Sequence, residues 1–301
     1  MNKFYYMFVL VAACAILGCQ VSDQDKRLSS SAGLEINAMT FNIRNGLAQD
    51  GENNWEKRSH LVITAIEDSN ADVIGLQETF RFQLDALNNA LPKYSDVGVG
   101  RAGGIKDEYS AILYRTDRFN LDEYEFGTFW LSDTPTVPSM HWGNNYLRIC
   151  TWARLIDKTT GHGVYIYNTH LDHRSQLSRE KSVRLITSVI QSRSHRDPFV
   201  LMGDFNAGED NSAIEYILDK KGADSSPIPM VDSYRVVHAD EELVGTFNGF
   251  KGDTNGEKID YIFVEPDVTI IDADIIRTSK DGRYASDHFP VTARLRFVRE
   301  K

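Results

Sequence analysis

The sequence predicts an α/β domain in which two mixed β-sheets pack face to face and carry their helices on the outside. Three observations lead there. Helical stretches come near the start of each half of the chain, and strand-rich stretches close both halves. No linker-like stretch divides residues 34–301. At 301 residues and 42% hydrophobic content, one domain with a full core is within reach. That order suits two packed mixed sheets better than one doubly wound parallel sheet.

Each element has its own signal. Ile36–Ile43 alternates partly and reads as the first strand. Trp55–Asn70 reads as a helix because Trp55, Val62 and Ile66, with Leu61 and Ala65, fall on one face. Asp72–Gln77 is a short strand, and Phe80–Leu91 a helix that must end before Pro92. Val97–Gly100, Tyr109–Tyr114, Phe119–Leu131 and Leu147–Asp157 form a β-rich middle. Strand Gly163–Thr169 precedes a long helix, Ser175–Ser192, with Val183, Ile186 and Ile190 on one face. Phe199–Gly203 is an apolar run too short for a helix, and Asn211–Asp219 a short helix. Ile259–Val264, Thr269–Thr278 and Val291–Val298 close the chain as strands.

The first residues read as a targeting segment. Lys3 is followed by apolar sequence from Phe4 to Gly18, shorter than the ~20 residues a spanning helix needs. Ile16-Leu17-Gly18-Cys19 resembles the lipobox of bacterial lipoproteins, in which the cysteine is lipidated and becomes the first residue. The expected division is a signal peptide at 1–18, a lipid-anchored tether at 19–33 and a catalytic domain at 34–301. The expected location is extracytoplasmic, on a bacterial membrane through Cys19, at the outer membrane or facing the periplasm. Removing 1–18 takes away one Lys and no acid, so the mature chain is more acidic than the formal −10. Proteins of duplex DNA usually need a basic face, so nucleic acid is a disfavoured partner. Cys150 is then the only thiol left in the domain; its apolar neighbours suggest a buried strand cysteine rather than a nucleophile.

Polar residues recur where strands end. Asn42 lies at the end of the first strand with Arg44 just beyond it, Glu78 at the end of the second, and Asn168-Thr169-His170 ends another. Gly203-Asp204-Phe205-Asn206 ends a further strand, and Ser286-Asp287-His288 is expected to begin the last. Singly, each has an ordinary structural explanation: a strand-end Asn caps a turn, and a lone His is more often hydrogen-bonded than catalytic. Their recurrence points to one cleft. A phosphate ester is anionic and repels hydroxide. Hard oxygen ligands can hold Mg²⁺ or Mn²⁺ to neutralise it, and an imidazole or carboxylate can take the proton of an attacking water. A histidine so used needs a carboxylate to fix its tautomer, and Asp260 is the candidate. Cysteine and histidine spacing does not favour zinc.

Asn42, Glu78, Thr169-His170, Gly203-Asp204-Phe205-Asn206, Ile259-Asp260-Tyr261 and Ser286-Asp287-His288 together resemble the endonuclease/exonuclease/phosphatase superfamily, over about Ile36–Val298. The resemblance implies a four-layer α/β/β/α sandwich of DNase I type, with the site at one end of both sheets. It implies Glu78, with Asn42 and Asp287, as metal-binding groups, and Asp204 and Asn206 as the pair positioning water and a phosphate oxygen. His288, oriented by Asp260, is implied as base or phosphate contact, and His170 as the group that stabilises the transition state or assists the leaving group. Which of Asp204 and His288 takes the proton stays open. Tyr109 is similar to an active-site tyrosine in parts of the family, with strand packing the equal alternative. The segment Phe129 to Trp142 resembles a cleft-walling loop of a bacterial branch, where Trp142 would stack on a substrate ring or simply pack. Arg44 and Arg148 are candidate phosphate contacts, with surface ion pairs the plainer role.

The expected activity is metal-dependent hydrolysis of a phosphate mono- or diester by in-line attack of water, on a small, sugar or lipid phosphate. The alternatives are an extracytoplasmic nuclease of the same fold and a binding protein that holds a phosphorylated ligand without turnover.

Overall fold

The computed structural model describes residues 33–220 and 226–297, so the expected signal peptide and nearly all of the tether lie outside the described residues. One six-stranded sheet contains β1 (Leu34–Asn42), β2 (Val73–Thr79), β3 (Tyr94–Val97), β4 (Tyr109–Arg115), β11 (Thr269–Ile275) and β12 (Val291–Phe297), ordered β11-β12-β1-β2-β4-β3. The second contains β5 (Phe119–Trp130), β6 (Ile149–Asp157), β7 (Gly163–His170), β8 (Phe199–Asp204), β9 (Val231–Asp232) and β10 (Asp260–Val264), ordered β5-β6-β7-β8-β10-β9. Among the described residues, only β1–β2 and β7–β8 pair in parallel. A parallel pair needs a crossover, and helices α1 (Trp55–Ser69) and α3 (Gln176–Gln191) supply the two. The remaining helices are α2 (Arg81–Ala90), α4 (Ser212–Ile217) and α5 (Ser233–Val237).

Three apolar clusters account for four layers. Ile36, Ala38, Ile112, Ile166, Val200 and Ile262 fill the space between the sheets. Met39, Phe41, Ile74 and Leu76 pack beneath α1 and α2 through Val62, Ile66, Leu84 and Leu87. Tyr167, Leu201 and Phe263 pack beneath α3 and α4 through Val183, Ile186, Ile190 and Ile214. Alternate residues of β1 and β8 thus feed opposite faces, the period-two rule for strands buried on both sides. Cys150 is fully buried on the outer face of the second sheet, and burial pushes its thiol far above the usual range.

The predicted elements are present, with three differences. β3 runs over Tyr94–Val97 rather than Val97–Gly100, because Gly98 turns the chain at φ +134° and ends the pairing with β4. The short β9 and α5 carry no periodic signal of useful length and were not expected. Ser286-Asp287-His288 does not begin β12, which starts at Val291. Pro290 cannot donate to a ladder, and His288 instead forms an isolated bridge with Phe247.

Candidate active site

Strand register builds the floor of the site. His170 is the parallel partner of Asp204, and Asp260 its antiparallel partner, so three side chains stand in a row across β7, β8 and β10. Gly203 permits this spacing: a Cβ there would lie 2.0 Å from the Thr169 carbonyl oxygen. Asp204 and Asp260 are essentially buried and His170 nearly so. Asp204 Oδ2 lies 3.5 Å from His170 Nε2 and 3.8 Å from His288 Nε2. Its Oδ1 accepts the Asn206 backbone N–H at 2.9 Å. Asn206 itself is left-handed at φ +48°, and its side-chain amide donates to the Leu171 carbonyl at 3.0 Å.

The facing sheet and its loops build the other wall. β2 loses register with β4 between Leu76 and Thr79, and Glu78 there adopts φ +59°. A bulge of this kind re-aims a side chain off the ladder. The Asn42 amide nitrogen donates to Glu78 Oε1 at 3.1 Å and to Asp204 Oδ2 at 3.0 Å, so it ties both sheets together. The Asn45 backbone N–H donates to Glu78 Oε2 at 2.8 Å. Arg44 donates to both oxygens of Asp50 and also lies 3.6 Å from Asp287 Oδ2. His288 Nδ1 meets Asp260 Oδ2 at 2.9 Å, as expected of an oriented imidazole.

These contacts set the charges. Burial, reinforced by Asp260, raises the Asp204 carboxyl to about 7. Burial opposes the charge on His288, yet Asp260, Asp204 and Asp287 outweigh it and raise the imidazole to about 10. His170 goes the other way, well below its ordinary value, through burial and the cations Arg148, His288 and Arg101. Burial and the neighbouring Glu78 charge raise Asp287.

Two groups could receive a cation. Among the described residues, Asp204, Asp260 and His288 place one ligand-type atom each within 4.8 Å of one another. Glu78 and buried Asp287 offer hard carboxylate oxygens of like charge, the donor chemistry that suits Mg²⁺ or Mn²⁺. The Asn42 amide nitrogen faces both carboxylates, and its oxygen accepts the Arg44 N–H at 3.0 Å.

Tyr109 packs with Ala111 and Leu113 on the helix-covered face of the first sheet, and its hydroxyl donates to the Gly104 carbonyl at 3.3 Å. It also lines one cleft with Arg101, Glu108, Arg148 and His170. Trp142 is held by its loop: Nε1 donates to Asp133 at 2.8 Å, and its carbonyl accepts from Ser175 at 2.6 Å. Its ring packs on the α3 side, with the Lys181 ammonium 5.5 Å from its centre. Arg148 is no surface ion pair; it is buried, lies 3.6 Å from Asp172 and 3.1 Å from His173 Nδ1, and lines one cleft with Arg101, Glu108 and His170.

The most consequential residue missed in the sequence is Arg58. It is fully buried on α1 and donates to the carbonyls of Asn53, Ile43, Arg44 and Ala285 at 2.8–3.2 Å. Trp55 and Phe250 flank its guanidinium. Its signal was a lone charge inside the Trp55–Ile66 apolar stripe.

Residues 39–288 match the model of the Endonuclease/Exonuclease/phosphatase family. The chain belongs to this family. Its members hydrolyse phosphate esters, and the two packed sheets with outer helices are its DNase I-like fold. A family member from Bacteroides thetaiotaomicron is 32% identical and superposes with a TM-score of 0.79, over 88% of this chain and 98% of that one. A mannosyl-6-phosphatase of the same organism is also 32% identical, with a TM-score of 0.76, over 86% and 99%. An uncharacterized mimivirus protein is 30% identical over 52% of this chain, and the match spans only 60% of that protein.

Proposed function

We propose that the chain is a divalent-metal-dependent phosphomonoesterase acting on a sugar phosphate. The observation that carries this reading is the Asp204-centred constellation: two histidines, a second carboxylate and the Asn42 amide converge on one buried carboxylate. The likeness to a mannosyl-6-phosphatase at 32% identity supports a sugar monoester over a diester. Glu78 and Asp287 would hold Mg²⁺ or Mn²⁺, which when bound neutralises phosphate charge. Asp204 and Asn206 hold the attacking water and one phosphate oxygen, and Asp204 receives its proton beside the charged His288 imidazole. Asp260 fixes the His288 ring, and His170 faces the leaving oxygen. Arg44 and Arg148 sit on either flank of the site as phosphate contacts.

The test is turnover of p-nitrophenyl phosphate, bis-p-nitrophenyl phosphate and hexose 6-phosphates with Mg²⁺, Mn²⁺ or EDTA. Metal-stimulated release of phosphate from a hexose 6-phosphate, abolished by EDTA and by Asp204→Asn, is the expected result. Equal rates for the metal-loaded wild type, Asp204→Asn and His288→Ala across the panel would sink the enzyme reading. The Cys19 lipobox resemblance supports a second proposal, a lipid-anchored protein outside the cytoplasm. Cys19→Ser should then release the protein from membranes; continued membrane fractionation after signal cleavage would refute it.

A further inference from the structure

Two half-exposed aromatic rings touch residues of the site. Phe247 stands edge-on to His288, with ring centres 5.2 Å apart. Tyr146 stands on the opposite side, its ring stacked on His173 at 6.1 Å and 27°. The Arg101 guanidinium lies 5.1 Å from the centre of the same ring. Tyr146 is nevertheless 46% exposed, so this braced ring keeps free surface. A ring already held in place loses little freedom when a ligand stacks on it.

The surroundings of Tyr146 are those a polyhydroxyl ligand needs. Arg101, Glu108 and Arg148 line one cleft with His170, which joins the ring's neighbourhood to the Asp204 centre. Arg101 pairs with Glu108 at 2.7 Å, and Glu108 also accepts from the Asn45 amide at 2.8 Å. Arg148 lies deeper, its Nε facing the Asp172 carboxylate at 3.6 Å. Paired donors and acceptors beside an exposed aromatic face suit a pyranose, which presents hydroxyls at its edge and C–H groups on its face. The ring that Phe247 meets in the site is that of His288, itself part of the Asp204 centre.

We propose that Tyr146 selects the alcohol part of the substrate by stacking on a sugar ring, whose hydroxyls meet Arg101 and Glu108. This rests on the sugar-phosphate reading and adds where the sugar lies: on the His170 side of the site, over the loops that carry Arg101 and Tyr146.

The experiment compares wild type, Tyr146→Ala, Tyr146→Phe and Phe247→Leu on a hexose 6-phosphate and on glycerol 3-phosphate, reading the ratio of the two kcat/KM values. Tyr146→Ala should lower that ratio about tenfold, chiefly through KM for the hexose ester, while Tyr146→Phe holds it within about twofold. An unchanged ratio in Tyr146→Ala overturns the proposal, and so does a shift produced by Phe247→Leu alone. A wild type active on phosphomonoesters but indifferent to Tyr146 removes this proposal only. A wild type inactive on all of them removes the sugar-phosphate reading as well.

Discussion

The floor and the loop wall of the site hold their side chains by different means. His170, Asp204 and Asp260 occupy adjacent positions across three hydrogen-bonded strands, so backbone register alone spaces them. Asp287 and His288 lie outside the named strands, held to the Thr246–Asn248 segment by an isolated bridge, and β1 ends at Asn42 beside them. Here a buried guanidinium does what the strands do on the floor: Arg58 binds carbonyls of Ile43, Arg44 and Ala285 at once. Backbone pairing spaces the floor, whereas the loops at Ile43 and Ala285 meet through the Arg58 side chain.

Four substitutions or probes break or sharpen that contrast. The largest effect is expected on the floor: Asp204→Asn should lower kcat/KM by about 10³-fold, with little change in thermal unfolding, since the strands keep their register. Full activity in that variant would remove Asp204 from the chemistry. Next, Arg58→Met leaves buried carbonyls without donors, so it should cost about 3 kcal/mol of unfolding free energy in urea and lower activity with it. If stability were unchanged, the loop wall would need another source of order. Gly203→Ala attacks the floor's spacing, because its Cβ would meet the Thr169 carbonyl at 2.0 Å and φ is +149°. A loss of roughly 2–3 kcal/mol is expected by the same titration. The smallest effect is a null result. Burial raises the Cys150 thiol so far that alkylation by iodoacetamide should be at least ~100-fold slower in the folded protein than in urea. Rapid labelling of the native state would mean that the outer face of the second sheet opens.

Much of the floor was legible because strand ends announce themselves. An apolar run stopping at Asp204 or His170 places the polar residue at the sheet's edge, where side chains of neighbouring strands meet. The same rule misled for Ser286–His288, since Pro290 cancels the ladder before the strand can start there. Tyr109 was ambiguous for a related reason. Its strand is buried on both faces, so alternation gives no polar side from which to tell the cleft from the helix-covered face. Arg44 and Arg148 looked interchangeable in sequence, yet one is a third exposed at its side chain and the other nearly sealed. Burial of a long cation depends on loops distant in the chain, and no local pattern encodes it.

By itself the sequence determined the layers and the chemical inventory. Periods of two and 3.6 residues decide which faces must be covered, and strand-end carboxylates and imidazoles decide what reaction can follow. Tertiary structure alone decided the pairings: Asn42 as the donor between Glu78 and Asp204, Arg58 as the clamp on two loops, and Arg148 beside His170. Hydrogen bonds of a few ångströms depend on where distant segments come to rest, and that position is set only when both sheets have packed.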